Sequence, residues 1–151
     1  MTITYLKGDL LNCKEQVFVH GCNAQGVMGS GVAKLVKKKY PDMYDAYCKV
    51  FIDGYIGLHL GEITVSELHD GKFGINAITQ KYYGREPGKV YVSYEAIQEC
   101  FERINRWMDG HKMTDIAMPM IGAGLGGGDW NKIISIVDRE LIDKNIVVYV
   151  L

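Results

Sequence analysis

The chain has 151 residues, 48% of them hydrophobic and 23% charged, with a formal net charge of -1. A chain of this length buries roughly two-thirds of its unfolded surface in one core, so one domain spanning residues 1–151 is expected. The composition excludes a disordered or collagen-like chain, and the near-zero charge gives no pull toward nucleic acid or an anionic surface.

The first residues, Met1 to Lys7, show no basic segment followed by a long apolar stretch, so no secretory signal is read there. No apolar run approaches the roughly 20 residues that cross a bilayer, and a cytoplasmic protein without membrane contact is expected. Ile3 to Leu6 is a candidate strand, followed by Val17 to His20, and Gly31 to Lys39 reads as a helix that Pro41 closes. After an exposed loop over Asp53 to Gly61 come strands at Ile63 to Leu68 and Phe73 to Ile78, then the longest exposed loop, Tyr82 to Val92. Ile97, Cys100, Phe101, Ile104, Trp107 and Met108 form one helical stripe, with Ser93 as its N-cap and Gly110 as its stop. A strand at Ile116 to Met118, a helix from Trp130 to Leu141 and a strand at Ile146 to Tyr149 complete the chain. Strands alternating with helices predict an α/β fold of three layers, with a mixed sheet of about six strands and ligands at the strands' carboxyl ends.

Glycine is in excess, at 18 residues, and concentrates in two loops. The first, His20-Gly-Cys-Asn-Ala-Gln-Gly-Val-Met-Gly-Ser-Gly31, follows a buried strand and opens a helix, where free backbone N–H groups and the helix dipole favour an anion. The second, Ile121-Gly-Ala-Gly-Leu-Gly-Gly-Gly-Asp129, has the same placement, and a pair of such loops can grip two phosphates. Gly122, Gly124 and Gly127 match a dinucleotide fingerprint, but that motif opens a first βαβ unit, whereas here a single strand follows. Cys13, Cys22, Cys48 and Cys100 form no C-x-x-C pair and read as free thiols, while the four histidines offer no zinc spacing. No metal and no cofactor is expected. Lys34, Lys37 and Lys38 read as a solvated helix face.

These elements resemble a macro domain, and in particular its branch of ADP-ribose 1''-phosphate phosphatases and terminal ADP-ribose protein glycohydrolases. The resemblance rests on Ile3-Thr-Tyr-Leu-Lys-Gly-Asp-Leu10, on Val19-His-Gly-Cys-Asn23 with Gly29-Ser-Gly-Val-Ala33, on Met118-Pro119 with Ile121-Gly-Ala-Gly-Leu-Gly-Gly127, and on Val148-Tyr-Val-Leu151. It implies that Asp9, flanked by Gly8 and Leu10, accepts from the adenine amino group, and that Tyr149 and Leu151 line the adenine pocket. It implies that Asn23 contacts the distal ribose, and that Cys22, Met28, Gly29, Ser30, Gly31 and Val32 form the first half of the site. Thr79 and the second loop, Ile121, Gly122, Ala123, Gly124, Leu125, Gly126 and Gly127, form the other half.

Catalysis is assigned to His20, Asn23 and Asp129. His20 resembles a histidine of the phosphatase members and is a proton-transfer candidate; as residues alone it reads equally as a strand-end histidine satisfied by backbone. Asp129 reads either as a general base in the loop's mouth or as the N-cap of the following helix. The glycohydrolase members use a lysine where this chain has Gln80, with Lys81 one position later, and an aspartate where it has Gly126. The leading expectation is therefore a phosphatase acting on ADP-ribose 1''-phosphate. Removal of ADP-ribose from protein or nucleic acid, leaning on Lys81, is the first alternative, and a non-catalytic ADP-ribose reader is the second.

Overall fold

The computed structural model describes residues 2–29, 31–52, 59–84, 86–124 and 126–151. Those residues form strands β1 (Ile3–Lys7), β2 (Val17–Asn23), β3 (Ile63–Glu67), β4 (Phe73–Gln80), β5 (Asp115–Met118) and β6 (Asn145–Val150). The α-helices are α1 (Gly31–Lys39), α2 (Pro41–Ile52), α3 (Tyr94–Gly110) and α4 (Trp130–Glu140), and a 3-10 turn spans Leu10–Asn12. The sheet order is β1-β6-β5-β2-β4-β3, parallel throughout except for the antiparallel β3 edge. This is the expected three-layer α/β arrangement. No helix among the described residues is long and apolar enough to cross a membrane.

Each strand face has its own cover. Val17 and Val19 of β2, with Ile75 and Ala77 of β4, join one apolar cluster with Ile97, Phe101 and Ile104 of α3 and Ile133 and Val137 of α4. Phe18, on the opposite face of β2, clusters with Val36 of α1, Tyr40, and Met43 of α2. A strand covered on both faces reads as a continuous apolar run rather than an alternation, as Val17-Phe-Val does. Both helix starts read from the sequence as capped are so in fact: Ser93 Oγ accepts from Ala96 N at 3.1 Å, and Asp129 Oδ1 accepts from Asn131 N at 3.0 Å.

Two elements differ from expectation. Pro41 does follow α1, but it also opens α2, a helix absent from the sequence reading. Proline loses nothing at a first helical position, whose N–H has no intrahelical partner anyway. Asp42 in the first turn and the fully buried pair Met43 and Tyr47, four residues apart, were the signal. Second, β2 runs three residues beyond His20, to Asn23, and β4 two beyond Ile78, to Gln80. The first six residues of the expected 53–61 loop lie outside the described residues.

The longer β2 corrects the reading of His20. The residue sits in mid-strand, fully buried, on the face that α2 covers. Asn76 donates one amide N–H to Met43 O and the other to Thr64 Oγ1, both at 2.9 Å, so its Oδ1 is left to accept from His20 Nε2 at 2.6 Å. The imidazole is thus a neutral core donor. Burial lowers its pKa from 6.5 to about 4, against the partial restoring effect of the Asn76 bond.

That shift sets a pH dependence. Between pH 6.5 and about 4 the unfolded chain binds the His20 proton and the folded chain does not. The stability contribution is therefore intact above pH 6.5 and declines as the pH falls through this window, by on the order of 3 kcal/mol. The His20 ring resonances are expected to stay in their neutral positions down to pH 5 in an NMR titration of the folded protein; a midpoint near 6.5 would place the ring in solvent.

Candidate functional site

The topology locates the site before any side chain is considered. Between neighbours β2 and β5 the chain's direction of travel diverges: β2 leads on toward β4 on one side, and β5 leads to β6 on the other. In an open parallel sheet the crevice outside such a divergence is where ligands bind. The two glycine loops are the continuations of β2 and β5 at this point. Two adjoining cavities occupy the crevice, of about 560 Å³ and 410 Å³, and share Val32, Pro119, Met120 and Gly124 as a common wall.

The smaller cavity is bounded by Gly8, Asp9 and Leu10 after β1, by Ala123 of the second loop, and by Tyr149 and Leu151 at the end of β6. Asp9 caps the 3-10 turn, its Oδ1 accepting from Leu11 N at 3.0 Å, while Oδ2 has only a 3.5 Å contact from Asn12 Nδ2. One oxygen is committed to the turn and the other can take a ligand donor. The Tyr149 hydroxyl donates to Glu15 at 2.6 Å; burial, reinforced by that carboxylate, pushes its pKa up to about 12. Its ring is therefore held as a neutral wall.

The larger cavity is lined by Cys22, Asn23, Gly29, Gly31 and Val32 from the first loop, by Thr79 from β4, and by Ile121, Gly122, Gly124 and Gly126 from the second. Asn23 is tied into its own loop: Nδ2 donates to Val27 O at 2.8 Å and Oδ1 accepts from Gln25 N at 2.9 Å. One Nδ2 N–H remains to offer to the cavity. The first turn of α1, which carries Gly31, Val32 and Ala33, has N–H groups without intrahelical partners at the junction of the two cavities.

The second loop is braced from below. Gly126 O accepts from Tyr91 N at 2.8 Å and from Val92 N at 3.1 Å, and Gly128 N donates to Gly122 O at 2.7 Å. At Gly127 the backbone is left-handed, with φ 70°, and a Cβ would lie 2.4 Å from the Lys89 carbonyl oxygen. Only glycine fits there. Gly127 thus shapes the loop without lining either cavity.

Several sequence assignments move. Asp129 is an exposed N-cap of α4, and it borders neither cavity. Met28 is buried with Tyr47 and Ile78 beneath the first loop instead of facing the groove. Cys22 does border the larger cavity, but burial pushes its thiol pKa far up, which makes it an inert thiol and not a nucleophile. Ser30 and Leu125 lie outside the described residues. The lysine question resolves by position: Gln80 ends β4 and faces the larger cavity, its Nε2 donating to Tyr82 O at 2.7 Å, whereas Lys81 is exposed beyond the strand with Nζ 5.4 Å from the Tyr82 ring. Residues that the sequence reading missed include Val27, Gln80, Tyr83, Met120 and Leu35. Tyr83 sits in the loop after β4, which ends two residues beyond the Ile78 expected from the sequence. No group of three or more His, Cys, Asp or Glu side chains that could hold a metal occurs among the described residues.

A family profile described as Macro domain matches residues 19–137. A DNA ADP-ribosyl glycohydrolase of Mycobacterium tuberculosis is 32% identical over 97% of this chain, which spans only 42% of that relative's length. A human ADP-ribose glycohydrolase is 30% identical over 99% of the chain and 91% of its own length. An ADP-ribose 1''-phosphate phosphatase of Lodderomyces elongisporus is 25% identical over 98% and 99%. Among solved structures, the macrodomain of Mycobacterium tuberculosis DarG superposes with a TM-score of 0.82 at 30% identity, covering 98% of this chain and 97% of that one.

The bracing of the second loop is testable by stability alone. Gly127→Ala is expected to destabilise the protein by more than about 1 kcal/mol. Gly124→Ala, where a Cβ would meet nothing within 4 Å, is expected to be close to neutral. Urea midpoints compare the two, and equal values would refute the bracing.

Proposed function

The chain belongs to the macro domain family, and from that membership we propose that its crevice holds ADP-ribose and that the protein hydrolyses the bond at the distal ribose's anomeric carbon, releasing ADP-ribose from a conjugate. The observation that carries this reading is the pair of adjoining cavities with the glycine loops at their junction. Adenine fits the smaller cavity, where one Asp9 oxygen can accept from its amino group and Tyr149 and Leu151 supply apolar wall. The diphosphate then crosses the junction, over the second loop and the first turn of α1, where backbone N–H groups and the helix dipole favour an anion. The distal ribose reaches the larger cavity beside the Asn23 amide and Gln80.

The chemistry follows from what lines that cavity. Among its described lining residues none carries a charged side chain. With no general base, lysine nucleophile or reactive thiol among the described lining residues, the protein's contribution is placement: it fixes the ribose and aligns a water against the anomeric carbon. A terminal phosphate would bring about two negative charges into a cavity whose described lining residues include no cationic side chain. A neutral glycosidic or ester link suits it better. The named activities of the 30–32% identical relatives support the same choice of bond. Phosphate release from ADP-ribose 1''-phosphate is the second reading, favoured by the full-length match to the phosphatase relative.

Three assays decide. Isothermal titration with ADP-ribose is expected to show one site per chain, and Asn23→Ala to weaken it by about tenfold, the loss of one well-placed hydrogen bond. Release of ADP-ribose from modified peptide and modified oligonucleotide, run beside phosphate release from ADP-ribose 1''-phosphate, identifies the bond cut. Binding without any turnover would leave a reader. Lys81→Ala is expected to keep the wild-type rate, and a large loss there would restore a lysine mechanism.

A further inference from the structure

We propose that Tyr47, on α2, is a positioning residue that sets the distal half of the crevice by serving as the hub around which the Asn23–Val27 loop is wound. The inference rests on the reading of the crevice as an ADP-ribose site. Tyr47 is fully buried, and its hydroxyl accepts from Gly26 N at 2.9 Å and from Val27 N at 3.1 Å. The same hydroxyl lies 2.5 Å from Asn23 O and 2.7 Å from Asn23 Oδ1, either of which takes its single proton. A phenol has one proton and two lone pairs. Two backbone N–H groups fill the lone pairs, and the proton goes to Asn23.

Consequences for the site follow from this count. Asn23 Oδ1 accepts from Gln25 N and Nδ2 donates to Val27 O, so the amide cannot flip without losing both, and the Tyr47 hydroxyl sits against the same oxygen side; Nδ2 is thereby held toward Val27 O and the larger cavity. Val27 also lines that cavity. One hydroxyl therefore fixes the orientation of the amide and the course of the backbone on the wall where the distal ribose is placed. The smaller cavity contains no part of this loop. Burial pushes the hydroxyl's pKa above its ordinary value, so the proton stays in place across the working pH range. Tyr47 lines neither cavity: it acts on the site through Asn23, Gly26 and Val27.

The test is Tyr47→Phe, which keeps the ring and removes only the hub. Calorimetric titrations of wild type and variant with ADP-ribose and with AMP separate positioning from general loosening, because AMP reaches only the smaller cavity. The expected result is a loss of about tenfold in ADP-ribose affinity with AMP affinity within twofold of wild type. Retained AMP binding also reports that the variant is folded. Unchanged ADP-ribose affinity would overturn the inference, and so would an equal loss for both ligands. Failure of wild type to bind ADP-ribose would instead sink the reading of the crevice itself. A second readout uses amide hydrogen exchange without ligand: Gly26 and Val27 are expected to lose protection in Tyr47→Phe while the α3 amides keep theirs, and unchanged protection would also overturn the proposal.

Discussion

The parallel pairing of β2 with β5 on one side and β4 on the other fixes where everything else in the crevice can be. Parallel neighbours send their carboxyl ends to the same edge, so the loops after β1, β2, β4 and β5 and the end of β6 all emerge together. Because β2 is buried on both faces, it cannot slide by one residue without driving apolar side chains across the sheet and breaking the His20–Asn76 bond. The register of one central strand thus dictates the height at which Asn23 meets the cavity. A bulge between Cys22 and Asn23, where the pairing with β4 skips from Ile78 to Gln80, makes the last adjustment and brings Asn23 and Gln80 side by side at the mouth.

Much of this was legible in the sequence. Six strands, three of the four described α-helices and both caps follow from apolar periodicity and turn residues, and the glycine loops announced the crevice. What escaped has definite physical causes. His20-Gly-Cys-Asn reads as a turn because glycine and asparagine break most strands, yet β2 continues through it, since Gly21 is where Thr79 and Ile121 crowd the backbone and a side chain would not fit. That continuation turned His20 from a loop group into a core donor. Pro41 reads as a terminus because proline usually ends a helix, but the same residue can begin the next one, and α2 was lost with it. Asp129, the cap, reads equally as a base because local sequence cannot tell a carboxylate facing its own helix from one facing a ligand.

The loss of α2 from the sequence reading mattered beyond the fold, because that helix carries the side chain around which the first loop is wound. A loop of small residues such as Gly21 to Gly31 has little side-chain packing of its own. Its order comes from the helix beneath it, through Tyr47 and through the burial of Met28 against the same residue. The wall of the larger cavity is in this sense a product of two segments more than twenty residues apart, and neither alone identifies it.

The absence of charge among the described lining residues of the larger cavity, together with glycine loops at the junction, has a consequence for selectivity in mixed solutions. Sites that collect phosphates with lysine and arginine side chains attract any polyanion and weaken steeply as ionic strength rises, because screening acts over roughly 8–10 Å at ordinary salt. A polyphosphate held by backbone dipoles at contact distance is far less exposed to screening, and it gains little from long-range attraction. Discrimination among nucleotides then rests on shape at both ends of the crevice, and abundant inorganic anions compete poorly for it.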